Sequence, residues 1–371
     1  MDKSVRLNWV DAAKGISILL VVMMYAAYGA GEATQGVGAL HYIIGFATPF
    51  RMPEFFLISG LFLANVINRP WGKFADRRAV HYLYFYLLWA VIHIGLKVGL
   101  ASGDPVMAAQ SIAFAAIQPY GVLWFIYVLA LTSIAAKVLM ELRLPHWLVF
   151  AGAAALNMAE INTSSYAVDQ FARYFVFFYS GYAFAPAIFK IVEKAMSAPR
   201  LATAGLVAWA LVNAYFVFTP GALTETGLAF TPSFVAEPGH FTMGLAEAAS
   251  VQFVLALVGT VALCVGAGLL SQINFMGWLS YIGKHSLVIY VAFVLPLGFS
   301  RIALVKLDLL TDTTALSVVT MVIAIILPLM AHWLVEKIGF GKFLFNRPSW
   351  FALPAKPSKS DHSIKFGAPA E

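Results

Sequence analysis

Long apolar runs separated by short polar segments make up almost the whole chain. Windows of about 20 apolar residues, the length that crosses a bilayer as a helix, fall at ten places. They cover residues 10–29, 40–66, 79–99, 119–138, 146–160, 170–190, 201–218, 246–270, 279–298 and 314–336, the fifth being short. The pattern predicts an all-α fold, a polytopic membrane bundle of about ten transmembrane helices. Orientation follows from the cations. Lys3 and Arg6, then Arg69, Lys73, Arg77 and Arg78, and so on to Lys337 and Lys342, concentrate in every second connecting segment. The positive-inside rule then places both termini in the cytoplasm. Residues 219–245 carry Glu225 and Glu237 but no Lys or Arg and form the longest outside loop. That loop is either a cap over an outward-facing substrate or a plain surface loop. Pro, Lys and Ser dominate the end of the chain, which predicts a transmembrane domain over residues 1–345 and a disordered cytoplasmic tail over 346–371.

Composition agrees with this picture. Hydrophobic residues make up 61% and charged residues 11%, against about 25% charged in a soluble domain. The bilayer is therefore the expected partner. The net charge of +6 belongs to topology and implies no nucleic acid. Cys264 is the one cysteine, so no intrachain disulfide forms, and its apolar run suggests a buried, inert thiol. Lys3 and Arg6 before the first run imitate a secretory signal, but Asp11 and Lys14 interrupt the run and the helix is expected to stay attached.

Polar groups inside the runs mark the candidate chemistry, because a charge at membrane depth costs several kcal/mol unless it faces protein or water. In the first run, VDAAKGISILLVVMMYAAYGA, Asp11, Lys14 and Tyr25 fall within about 60° of one another at 100° per residue. Lys14 and Tyr25 are separated by a rise of about 16 Å, roughly half the apolar thickness of a membrane. The stripe is either an ordinary helix start with charges or one wall of a site. In the second run Arg51 and Glu54 lie within FRMPEFF, with Pro49 and Pro53 bracketing Arg51. Prolines free backbone carbonyls, which predicts a broken helix lining a cavity; an Arg51–Glu54 pair holding a kink is the alternative. His41 precedes them at the outer end of that run.

Elsewhere the runs offer binding groups. Trp124 and Tyr127, at i and i+3, share a helix face that either packs or stacks on a ring of the ligand. Gly181 beside Ser180 permits close helix packing. Lys284, Ser286 and Tyr290 open the ninth run, where Lys284 either snorkels to headgroups or meets a phosphate beside Gly283. No phosphate-cradling glycine loop, nucleophile elbow, paired Cys or HxxxH spacing occurs, and no metal site or bound cofactor is expected.

The strings VDAAKGISILLVVMMY, FRMPEFFLISGLFL, GVLWFIYVLAL, RYFVFFYSGYAF and LSYIGKHSLVIYVAF, in this order, resemble the membrane-bound acyltransferases of acyltransferase family 3, and in particular its fucose 4-O-acetylase-like branch. The resemblance implies a multi-pass protein of a bacterial inner (plasma) membrane that takes an acyl group, typically acetyl, from acyl-CoA. It implies transfer to a hydroxyl of a sugar, polysaccharide or lipid-linked glycan. The family's basic residue of the first helix corresponds to Lys14. Its histidine eleven positions on corresponds to Tyr25, its histidine before Met-Pro to Arg51, and its histidine of the ninth helix to Phe293. On this resemblance Asp11, Lys14, Tyr25, Arg51 and Glu54 form the catalytic set. His41, Trp124, Tyr127, Lys284, Ser286 and Tyr290 form the substrate-binding set. Imidazole titrates near neutral pH whereas a free phenol titrates near about 10. The proton therefore falls to Tyr25 with cationic help from Lys14 or Arg51, or to Glu54 or His41. A non-catalytic relative that moves a lipid or glycan, or assists a synthase, is the alternative.

Overall fold

A computed structural model describes residues 3–100, 103–219, 235–237 and 239–353. Its helices are α1 (Lys3–Thr34), α2 (Ala39–Ala47), α3 (Arg51–Leu61), α4 (Trp71–Ala75), α5 (His81–Ile94), α6 (Pro105–Ala115), α7 (Trp124–Glu141) and α8 (His146–Met158). They continue as α9 (Tyr166–Ala183), α10 (Ala185–Ser197), α11 (Pro199–Phe218), α12 (Ala249–Leu270), α13 (Gly277–Lys284), α14 (Ser286–Ala292), α15 (Val294–Lys306) and α16 (Thr313–Ile338). A small antiparallel hairpin, β1 (Val235–Glu237) and β2 (His240–Thr242), pairs Ala236 with Phe241. Most of the expected outer loop, residues 220–234 and 238, lies outside the described residues.

Among the described residues six helices are long and apolar enough to cross a membrane, or up to eight if each of two bent pairs is one span. Where the apolar pattern predicts single runs, proline divides several of them. The second run breaks at Thr48–Phe50, with Pro49 in the break and Pro53 in the first turn of α3. The sixth turns by 74° between α9 and α10, where Pro186 stands in the first turn of α10. The ninth turns by 53° between α14 and α15, just before Pro296. In each case the ring removes a donor and clashes with the preceding turn, so it starts a new helix better than it continues an old one. Helix α6 is too short for a 20-residue window. It is set by Pro105 in its first turn and by Asp104, whose carboxylate accepts from Val106 N and Met107 N at 2.9 Å each.

Helix α1 is the spine, packing on α13, α16, α12, α2 and α3, while α3 lies along α9. Two glycine pairs permit these contacts. A Cβ on Gly15 would run into the Leu279 carbonyl of α13, and one on Gly283 into the Asp11 carbonyl of α1. The crossing of α3 and α9 repeats the device, with Gly60 against the Phe178 carbonyl and Gly181 against the Leu57 carbonyl. In lipid, where helices gain little from burying apolar surface against one another, such backbone approach is a principal source of association.

Residues 339–353 do not leave the bundle. Gly339 ends α16 in the left-handed region at φ 83°, and the chain then turns onto α4 and α5. Arg347 holds Asp76 through paired bonds of 3.0 and 2.7 Å, Tyr84 donates to Phe343 O at 2.8 Å and Trp89 to Leu344 O at 3.0 Å. The part of the expected tail from 346 to 353 is thus anchored by a bidentate ion pair. Residues 354–371 lie outside the described residues.

Candidate active site

The broken second run puts Arg51 at the first turn of α3, beside the middle of α1 and the start of α9. There the bundle encloses a chamber of about 340 Å³ whose lining includes Tyr25, Arg51, Trp124, Tyr166, Arg173 and Tyr290. A second lobe of about 200 Å³ shares Arg51, Met52, Arg173 and Tyr174 with the first, and adds Thr48, Asn157 and Gln252. The larger lobe alone is at the small end of the about 300–1,000 Å³ usual for small-molecule sites. A larger depression of about 580 Å³ between α11 and α12 is walled by Leu201, Leu206, Trp209, Val258 and other apolar side chains, with Lys194 at its edge. It holds no group suited to acyl chemistry, so volume alone misleads here.

Arg51 dominates the chamber. Only 8% of it is exposed, yet its Nε and Nη1 have no hydrogen-bond partner among the described residues. The titratable groups that interact most with its charge are the neutral phenols of Tyr28, Tyr174 and Tyr25. The Arg51–Glu54 pair is absent: among the described residues no ion pair joins them. Ser17 of α1 instead donates to Glu54 Oε2 at 2.5 Å, and Glu54 Oε1 is buried without a partner. The two side chains of one helical turn therefore serve different neighbours, Arg51 the chamber and Glu54 the contact with α1. Tyr174 forms the chamber wall by lying parallel to Phe56, with ring centroids 4.9 Å apart, and stacking on Trp124 at 5.5 Å. Tyr290 spends its hydroxyl on the Val122 carbonyl, which ties α14 to the start of α7.

Of the residues singled out by sequence, the structure brings Tyr25, Arg51, Trp124 and Tyr290 to one cavity. The others lie elsewhere. Asp11 and Lys14 pair at 3.6 Å nearer the start of α1, with Lys14 Nζ 5.2 Å from the centre of the Phe62 ring. Gly283 abuts Asp11 there, so exposed Lys284 and half-buried Ser286 belong to the same end of the molecule as Lys14. His41 is buried at the start of α2, where its Nδ1 accepts from Gly38 N at 3.1 Å. Tyr127 faces Tyr86 across 5.1 Å and donates weakly to Ala116 O at 3.4 Å. Among the described residues no cluster of His, Cys, Asp or Glu is suited to a metal ion.

Sequence reasoning missed the contribution of α9. Tyr166, Gln170, Arg173 and Tyr174 follow the spacing i, i+4, i+7, i+8, which is one helical face, and all four line the chamber. That polar stripe was the available signal. Arg173 is exposed at the chamber's edge, and its backbone carbonyl accepts from Asn157 Nδ2 at 2.6 Å.

Fold and site together define a multi-pass membrane protein with a cationic, aromatic-walled chamber inside its helix bundle. A family model described as an acyltransferase domain matches residues 7–333, and the chain belongs to this acyltransferase-3 family. No curated protein and no solved structure matches it. Tyr25 packs against Phe293 with ring centroids 5.4 Å apart and shares the chamber with Arg51, so the three positions where the resemblance implies histidines converge on one place.

Proposed function

We propose that the protein transfers an acyl group, of acetyl size, from acyl-CoA to a hydroxyl of a sugar, polysaccharide or lipid-linked glycan at the bacterial inner membrane, and that the chamber is where transfer occurs. The observation that carries this reading is the convergence of Tyr25, Arg51 and Phe293 within a bundle of the acyltransferase-3 family. The donor approaches from the end that carries Lys14 and Lys284, cations suited to its phosphates. Its acyl arm reaches along α1 to Tyr25, a rise of about 16 Å. The acceptor occupies the chamber with a ring against Trp124 and Tyr174.

In the step itself the acceptor oxygen bonds to the thioester carbonyl carbon and the carbon–sulfur bond breaks. The unpartnered N–H groups of Arg51 answer the charge that develops on the carbonyl oxygen. The hydroxyl's proton ends on the departing sulfur. Tyr25 relays it by giving up its phenolic proton while accepting that of the acceptor, so that the phenol is unchanged at the end of the cycle. Glu54 keeps α1 against α3 through Ser17 and stays outside this relay.

Incubating purified protein with labelled acetyl-CoA and the glycan pool of the native envelope tests the reading. Label in the glycan fraction is the expected result. Its absence from every acceptor would favour the second reading, a non-catalytic carrier or synthase partner, which the loss of all three histidines supports.

A further inference from the structure

We infer that the acceptor carries a negative charge, a carboxylate or a phosphate, which the smaller lobe of the chamber binds between Arg51 and Arg173; this rests on the acyl-transfer reading for the word acceptor. The first observation is the state of Arg51. A guanidinium stays charged wherever it is placed, and leaving one buried with free N–H groups is costly. The transient oxyanion of acyl transfer takes only part of the five-donor guanidinium, and only during the reaction. A neutral acceptor would leave the remaining positive charge unanswered through the whole cycle.

The second observation is Arg173. It stands at the edge of the chamber, lines both lobes, and among the described residues pairs with no carboxylate. One cation on the floor and another at the edge, with no Asp or Glu in either lining, give the cavity a single sign of charge from mouth to base. A low-dielectric cleft of one sign concentrates ligands of the other. The third observation is the chemistry between the two arginines. Asn157 and Gln252 supply amide groups to the smaller lobe, Thr48 spending its hydroxyl proton on Ile44 O, whereas the larger lobe is mainly aromatic. A ring with an acidic substituent matches this division, the ring against Trp124 and Tyr174 and the acidic group in the polar lobe. Glucuronate-like and phosphorylated sugars both have that form.

Binding measured without acyl-CoA decides it. The full chain in nanodiscs is titrated with glucuronic acid, glucose 6-phosphate and uncharged glucose. At least one charged sugar is expected to bind about tenfold or more tightly than glucose, and which one does so separates carboxylate from phosphate. Arg173→Gln is expected to abolish that preference and Arg173→Lys to retain part of it, with an unchanged Tm in both variants showing that the Tyr174 wall beside Arg173 is kept. The inference is overturned if neither charged sugar binds better than glucose, or if Arg173→Gln keeps the full preference. The two readings fail separately. Anion preference without acyl transfer would sink only the proposed activity, and transfer to a neutral sugar without anion preference would sink only this inference.

Discussion

Two buried cations, Lys137 and Arg51, have opposite surroundings. Lys137 of α7 is 3% exposed and fully occupied: its Nζ donates to Ile67 O at 2.8 Å and Arg69 O at 3.1 Å, lies 3.1 Å from Glu141 Oε1, and rests over the rings of Trp71 and Phe74. It clamps the connection between α3 and α4. Arg51 is almost as buried, with two N–H groups that have no partner among the described residues and the neutral phenols of Tyr25, Tyr28 and Tyr174 facing its charge. Burial by itself therefore does not distinguish a structural cation from a functional one. On the proposed function, what distinguishes them is whether the protein supplies the partners or leaves them to a ligand.

The contrast is sharpest when both are replaced. Arg51→Gln is expected to lower acyl transfer by about a hundredfold or more, the scale of losing one oxyanion donor, while thermal stability holds or rises because an unpaired buried charge has gone. Lys137→Met should do the reverse. Leaving the Ile67 and Arg69 carbonyls unpaired costs about 3 kcal/mol, read as a fall in Tm, with the activity of the folded fraction unchanged. Little of that loss belongs to Glu141, whose side chain is largely in the open. Tyr25→Phe, which keeps the ring against Phe293 and removes the relay, is expected to slow transfer about tenfold to a hundredfold. Tyr25→His should keep or raise it.

Smaller effects test the frame around the chamber. Gly181→Ala forces a methyl onto the Leu57 carbonyl and should destabilise the α3–α9 crossing by about 1–3 kcal/mol, measured by thermal melting in detergent. Glu54→Gln preserves an acceptor for Ser17 and should change the transfer rate by no more than about threefold. A loss as large as that of Arg51→Gln would return the carboxylate to the role of base.

Much of the frame was legible in the chain. Pro49 and Pro53 announced the broken second run, Gly181 and Gly283 announced close backbone approach, and Arg51 announced a cavity, because each rests on a local rule of backbone or burial. The pairing of Glu54 was not legible. At i+3 from Arg51 it reads as a partner, and only the proximity of α1 gives it Ser17 instead. The roles of Arg173, Tyr174 and Gln170 were hidden for a similar reason. An arginine near a helix end satisfies the rule for an interface anchor, and which helix face meets the cavity is decided by the α3–α9 crossing. The bends of α9–α10 and α14–α15 were missed, because apolar windows read each pair as a single span and hydropathy does not weigh the prolines.

On the proposed function, Arg51 is left unpartnered because a reacting group completes it. The direct measurement is the initial rate of labelled acetyl transfer and the Tm of wild type and Arg51→Gln, taken on the same nanodisc preparations. The account predicts transfer by the wild type, a rate lower by about a hundredfold in the variant, and an unchanged or higher Tm. Equal rates, or a rate lost only in step with a falling Tm, would contradict it.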